Sequence, residues 1–200
     1  MVDDLQRLKA ALARSGGASS DFDLNPGVPP PQGSLRPAAV LVPVLATGDA
    51  AAQVILTKRA SHLKHHPGQV AFPGGKMDKT DHSLSACALR EAWEEIGLPP
   101  ESVTILGELP VHVTVTGFAV TPILGHVRAA FTPKPQVEEV EEVFSVPLSH
   151  LLDESRYTIQ SRIWRGQMRR FYTVPWGPYY IWGATARMLR GLADRVATCG

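Results

Sequence analysis

Apolar positions recur along this chain with helical and with extended spacing, and the two spacings divide it into elements. Leu5, Leu8 and Leu12 fall at i, i+3 and i+7 among Arg7, Lys9 and Arg14, which predicts an amphipathic helix over residues 3–14, packed on the core or on a partner subunit. AAVLVPVLA (38–46) and QVILTK (53–58) predict two strands joined at Thr47-Gly48-Asp49, with Pro43 marking the first as an edge or bulged strand. Residues 103–109 and 119–127 read as further apolar strands, another strand begins near Glu142 in a segment whose apolar positions include Val137, and 148–152 forms a helical turn. Two aromatic strands follow within 156–177, around the turn Arg165-Gly166-Gln167. A closing helix over 178–196 places Ile181, Thr185, Met188, Leu189, Leu192 and Val196 on one stripe. Residues 15–37 are rich in Gly, Ser and Pro and read as a tether, so the chain divides into a helix and tether (1–37) and one domain (38–200).

The stretch FPGGKMDKTDHSLSACALREAWEEIGL (72–98) carries the chemistry. A turn at Pro73, Gly74 and Gly75 leads into a polar loop. Cap oxygens on Thr80, Asp81 and Ser83, and Gly97 beyond the other end, then predict a helix from His82 to Ile96. Glu91, Glu94 and Glu95 share one helical face, while Leu89, Ala92, Trp93 and Ile96 share the opposite, buried one. Like charges at these spacings each cost a helix roughly 0.2–0.5 kcal/mol, and a single Arg90–Glu94 pair does not neutralise three carboxylates. A solvated acidic face is the plain alternative. The diglycine turn beside the cluster shifts the balance toward hard oxygen ligands for Mg²⁺ or Mn²⁺.

These residues resemble the Nudix box, G-x5-E-x7-R-E-U-x-E-E-x-G-U with U apolar. Gly75 opens it, and Arg90-Glu91-Ala92-Trp93-Glu94-Glu95-Ile96-Gly97-Leu98 matches its closing half. The opening half departs from the pattern: fourteen residues (76–89) stand where the box has thirteen, and Asp81 occupies the place of the first Glu. The long loop resembles the coenzyme A pyrophosphatase branch, and so does the stretch upstream. Ile55-Leu56-Thr57-Lys58-Arg59-Ala60, Lys64, Gly68 and Phe72-Pro73-Gly74-Gly75 follow that branch's signature, with Ile55 for Leu and Lys64 for Arg. Together the two motifs cover residues 55–98.

The resemblance implies an α/β fold, the Nudix-type α/β/α sandwich with a mixed sheet. It implies metal-dependent hydrolysis of the pyrophosphate of coenzyme A, or of its thioester or oxidised derivatives, to 3',5'-ADP and (acyl-)4'-phosphopantetheine. Glu91 and Glu95 are then the first metal ligands, Glu94 completes the cluster, the Gly75 carbonyl offers a further oxygen, and Glu139 or Glu142 a further carboxylate. Arg90 orients a glutamate, and Glu94 or a loop carboxylate takes the proton of water. Arg59, Lys64 and Lys76 face substrate phosphates, with Gly68 and Phe72 in the same substrate-side signature. The alternatives are a Nudix hydrolase of another nucleoside diphosphate derivative (NADH, ADP-ribose, a capped RNA end) and a non-catalytic nucleotide-binding module.

Composition changes this picture little. The chain has 200 residues, 44% hydrophobic and 20% charged, enough for one domain with a substantial core. A net charge of +1 gives no general pull toward nucleic acid or anionic membrane, so phosphate-binding charge must be local. Cys87 and Cys199 are too few for a disulfide framework or zinc knuckle, and Cys87 reads as a packing residue. His62, His65 and His66 have no acidic partner nearby and read as exposed or phosphate-facing. Arg162, Arg165, Arg169 and Arg170, interleaved with Tyr157, Trp164, Phe171 and Tyr172, are open to a nucleic-acid reading, but the near-neutral charge favours local substrate or surface contacts. Without a signal peptide, membrane span or SKL-type ending, the expected location is cytoplasmic, and a homodimer is allowed.

Overall fold

The computed structural model describes residues 2–14, 16–48, 50–164 and 166–198. Asp49, Arg165 and Cys199, which enter the expectations above, lie outside the described residues. The centre is a pair of parallel ten-residue strands, β2 (Arg36–Leu45) and β8 (Phe118–Val127), in register from Arg36 opposite Phe118 to Leu45 opposite Val127. Both are apolar on both faces, as strands covered from two sides must be.

In chain order, helix α1 (Val2–Leu12) and the short strand β1 (Ser19–Ser20) precede β2, and β3 (Gln53–Arg59), β4 (Val70–Ala71) and β5 (Gly74–Lys76) follow it. Helix α2 (Leu84–Ile96) leads to β6 (Val103–Glu108), β7 (His112–Val113), β8 and β9 (Val140–Pro147). The turn α3 (Leu148–Leu151), the hairpin β10 (Thr158–Trp164) and β11 (Gln167–Thr173), and α4 (Gly183–Ala197) complete the chain. Among the described residues nine strands form one mixed sheet, while β10 and β11 form a separate hairpin that Thr173 bridges to Trp182.

Helix α2 covers one face through Cys87, Ala88, Ala92 and Ile96 on Ala39, Leu41, Ile55, Ile123 and Val127. Helices α1 and α4 cover the other, where Leu8, Leu189 and Leu192 meet Val42, Val44, Leu56 and Leu124. The result is the α/β/α sandwich. The α4 stripe is buried throughout, from Ile181 to Val196.

Several expectations change. Pro43 does not mark an edge: β2 is internal, with β8 along one side and the other side shared between β5, opposite Ala38–Val40, and β3, opposite Val44 and Leu45. The Leu41 N–H points to this shared side, bonding Pro73 O at 2.8 Å. Pro43, two residues on, would point its missing N–H the same way, into the gap between the two partners, so no ladder bond is lost. Trp93 is 53% exposed, because the sheet lies against the Ala88–Ala92–Glu95 side of α2 and leaves the Trp93 edge outside. Val137 is also exposed, on the loop ahead of β9.

The Gly/Pro-rich arm is fastened to the body at several points. Strand β1 pairs parallel with β7, and buried His112 donates from Nε2 to Asp21 Oδ1 (3.1 Å) while its Nδ1 bonds Ser19 Oγ (2.9 Å). Further along, Asn25 brackets Arg170, donating to its carbonyl at 2.9 Å and accepting its N–H at 2.8 Å.

Gly74 and Gly75, read as a turn, instead form β5 against Ala38–Val40. Gly74 has φ +152°, and a Cβ there would fall 2.5 Å from both Ala39 O and Val40 Cα, which are backbone atoms with no room to move. Gly74→Ala is expected to cost about 3 kcal/mol or more, by the cost of overpacking and a strained backbone. Urea unfolding checks it, and a variant within about 0.5 kcal/mol of the parent would refute the close approach.

Candidate active site

The carboxylate helix starts and stops where its sequence says. Ser83 Oγ accepts the Ala86 N–H at 3.0 Å, and Gly97, in the left-handed region at φ 67°, closes the other end. There Gly97 N–H reaches Trp93 O (2.9 Å), the bond of an αL cap, and Leu98 N–H reaches Ala92 O (3.3 Å). Between these caps the helix presents Glu91 and Glu95 to strand β5, and each glycine of the strand serves one of them.

Gly74 donates its N–H to Glu95 Oε2 at 3.1 Å. Gly75 leaves the space that Glu91 fills: a Cβ on it would stand 2.6 Å from Glu91 Cδ and 2.7 Å from each carboxylate oxygen. The Gly75 carbonyl also accepts a weak thiol bond from Cys87, at 3.7 Å. Cys87 is fully buried, and burial pushes its thiol up to about 11, so it packs beneath the site as a neutral group.

Glu95 is 6% exposed. Burial, with repulsion from Glu91 and Glu139 and only partial relief from the Gly74 N–H and Arg59, pushes its carboxyl up to about 8. Glu91 is raised as well, chiefly by burial, with Arg90 opposing and Glu94 and Glu139 adding to the rise. The cluster is therefore short of positive charge even with its arginine in place.

That arginine is fully engaged. Arg90 grips Asp81 through Nε (3.0 Å) and Nη2 (2.9 Å), and its Nη1 lies 2.9 Å from both Glu91 and Glu94. Asp81, which stands in place of the first Glu of the box, is thus the anchor of Arg90. Its carboxyl is held far below the usual range, chiefly by that bond. Arg90 spans the helix face and the loop, spending its donors on carboxylates. Residue spacing carries no sign of this Asp81–Arg90 fork, since the loop length needed to bring the two together is the very feature that departs from the pattern.

Long-range pairing brings up the remaining groups. Arg59 ends β3, where a bulge between Lys58 and Arg59 shifts the register against β9. Its charge acts on Glu95 from there. Glu139, on the loop entering β9, accepts the Ala60 N–H at its carbonyl (2.9 Å), and its charge acts on both Glu91 and Glu95. Glu142 does not join them: it accepts a hydrogen bond from Tyr179, whose ring stacks on Phe144 on the α4 side of the sheet.

Loop 60–69 carries exposed His62, Lys64, His65 and His66. Glu141 holds its start, accepting Lys58 Nζ at 2.6 Å, Ser61 N at 3.0 Å and the Ser61 hydroxyl. Gly68 N–H to Arg59 O (3.1 Å) and Arg59 N–H to Gln69 O (3.0 Å) close its end. Lys76 is exposed at the end of β5. Phe72, expected on the substrate side, is instead 4% exposed within the core on the α4 side. Its place beside the diglycine strand explains the motif position by packing.

Comparison with known proteins fits this geometry. A NUDIX domain model matches residues 35–164. A protein from Enterobacter sp. (strain 638), named uncharacterized Nudix hydrolase NudL, is 48% identical over 161 residues, 80% of this chain and 83% of its own. The NudL of Salmonella paratyphi B is 44% identical over the same shares. A MutT/nudix family protein from Enterococcus faecalis shares the fold, with TM-score 0.53 at 15% identity over 86% of this chain and 65% of that one. The chain belongs to the Nudix family. It is a pyrophosphohydrolase, of a class that generally needs divalent cations.

The donor set suits such an ion. Glu91, Glu95 and the Gly75 carbonyl offer oxygens only, and burial with repulsion from neighbouring carboxylates raises both carboxyls, so positive charge beside them would favour their ionised forms. Among the described residues no three His, Cys, Asp or Glu side chains form a ready-made cage. An ion held here would draw on two carboxylates with water and substrate phosphate, the usual habit of Mg²⁺. No helix among the described residues is long and apolar enough to cross a membrane.

The charge deficit has a measurable sign. Between the ordinary 4.5 and about 8, the folded chain keeps on Glu95 a proton that the unfolded chain has released. Metal-free protein should therefore be most stable near pH 5 and lose stability toward pH 8, by at most about 1.4 kcal/mol per pH unit. Melting temperatures in chelator should fall across this window, and excess Mg²⁺ should flatten the fall. A rise from pH 5 to 8 in chelator would contradict the buried-carboxylate account.

Proposed function

We propose that this enzyme hydrolyses the diphosphate of coenzyme A, or of its thioester or oxidised derivatives, to 3',5'-ADP and (acyl-)4'-phosphopantetheine, with Mg²⁺ or Mn²⁺. The observation that carries the reading is the loop that ends in Arg59 and Gly68 and bears Lys64: the branch signature lies on the segment next to the carboxylate cluster. A substrate with a 3'-phosphate beside its diphosphate needs such cations, and Arg59 and Lys64, with Lys76 on β5, are assigned to them. Residues 38–200 form the catalytic unit in this reading, and its substrate belongs to the cytoplasm.

Glu91 and Glu95, with the Gly75 carbonyl, are the residues that hold the ion. A bound divalent cation offsets the negative charge of the diphosphate and lowers the pKa of a coordinated water. Arg90 positions Glu91 and Glu94 through its anchor on Asp81. Because Arg90 already occupies Glu94, we assign the water's proton to Glu139, which no cation pairs with among the described residues.

The test is chromatographic separation of products from coenzyme A, acetyl-coenzyme A, NADH and ADP-ribose incubated with the protein and Mg²⁺ or Mn²⁺. Preferred release of 3',5'-ADP from the coenzyme A compounds is expected. Cleavage confined to NADH or ADP-ribose would replace the substrate, and a folded protein that cleaves none of them would leave a nucleotide-binding module.

A further inference from the structure

The β10–β11 hairpin carries two like charges that no carboxylate balances among the described residues. Its register sets Arg162 directly opposite Arg169, and like charges opposite each other destabilise an antiparallel pair. No carboxylate pairs with either among the described residues, and Arg169 Nε is buried without a hydrogen-bond partner. What surrounds the two guanidiniums is aromatic. Arg162 Cζ sits 4.1 Å from the Trp182 ring centroid and 5.9 Å from that of Phe171, and Arg169 Cζ lies 5.5 Å from the ring of Trp164. Tyr180, 42% exposed, stands 6.4 Å from Trp182 and is fixed by its hydroxyl on Gln160 at 2.6 Å. Guanidiniums set against aromatic rings recognise a phosphate and a base together.

This shelf adjoins the proposed substrate loop. Trp182 leads into Gly183, where a Cβ would lie 3.6 Å from Gln69 Nε2, and the Gln69 carbonyl takes the Arg59 N–H at 3.0 Å. Arg59 in turn acts on Glu95. A nucleotide whose diphosphate is held at the carboxylates therefore has an Arg/aromatic shelf one loop away. We infer that Arg162 and Arg169, with Trp182 and Tyr180, bind a nucleoside phosphate monoester: the 3'-phosphorylated adenosine end of the substrate. The inference rests on the coenzyme A reading, but its test stands apart from turnover.

Calorimetric titration of the full chain with adenosine 3',5'-bisphosphate and with adenosine 5'-monophosphate is the first arm. The bisphosphate should bind about tenfold tighter, the size of one charge-assisted contact, and Arg162→Ala should erase the difference by weakening the bisphosphate alone. Arg162→Lys should restore part of it. In the second arm, Arg162→Ala should raise KM for coenzyme A about tenfold while leaving KM for 3'-dephospho-coenzyme A alone. A preference that survives Arg162→Ala, or both nucleotides weakening alike, overturns the shelf. If neither coenzyme A compound is cleaved, the substrate reading fails and the first arm still decides the shelf. Single-stranded RNA that outcompetes the bisphosphate on the parent, and loses its grip in Arg162→Ala, would reassign the surface to nucleic acid.

Discussion

Glu95→Gln is expected to fold normally and to lose at least about a thousandfold in kcat, beyond the roughly 10- to 100-fold typical of an outer partner of a metal site. The two halves of this result come from one fact. Glu95 is buried with its carboxyl pushed up to about 8, so near neutral pH the fold is holding a group that prefers to be uncharged. The amide has the same shape, still accepts the Gly74 N–H through its oxygen, and carries no charge to desolvate. The variant should therefore melt no lower than the parent at pH 8 in chelator and should show a flatter pH dependence. In the proposed assignment turnover needs the charge. An ion facing an amide in place of a carboxylate would lose its most enclosed anionic ligand, and added Mg²⁺ should no longer raise the melting temperature. Parent-like rates in a folded Glu95→Gln protein would remove Glu95 from the active site.

Gly75→Ala separates space from charge. The new methyl must occupy the volume now held by the Glu91 carboxylate, whose atoms lie 2.6 to 2.7 Å from the Cβ position. Unlike the backbone atoms that crowd Gly74, Glu91 is a flexible side chain and can swing away. The expected outcome is a modest change in stability, within about 1 kcal/mol, and a fall in kcat of roughly a hundredfold as Glu91 leaves its place. Crystallography or metal titration would show whether Glu91 has moved. Parent-like kcat with a displaced Glu91 would free this residue from any part in the chemistry.

Much of the fold was legible because its signals are local. The cap at Ser83, the stop at Gly97 and the carboxylate spacing fix α2 without reference to the rest of the chain, and the stripe ending at Val196 fixes α4. The misreadings concern neighbours. Whether Pro43 sits on an edge depends on where β5 ends and β3 begins, some ten and more residues away. Trp93 and Glu95 flank the same helix, and only the placement of the sheet decides that the glutamate is buried and the tryptophan exposed. Two glycines have no strand propensity of their own, so β5 is a strand only because β2 offers its edge. Within the site, Glu91, Glu94 and Glu95 could be picked out by spacing, whereas the Asp81 fork and the approach of Glu139 depend on a loop path and a β3–β9 pairing that composition does not encode.

Loop 60–69 is pinned at both feet, by Glu141 on Ser61 at one end and by the Arg59–Gly68–Gln69 bonds at the other, while its crown is exposed. The pins lie on β3 and β9, and the groups proposed to hold the ion lie on α2 and β5. Changes at residues 62–66 can therefore alter what the crown greets without moving a single carboxylate of the cluster. In the proposed function, substrate preference and bond cleavage therefore rest on separate segments of the chain, and the first can be altered without disturbing the second.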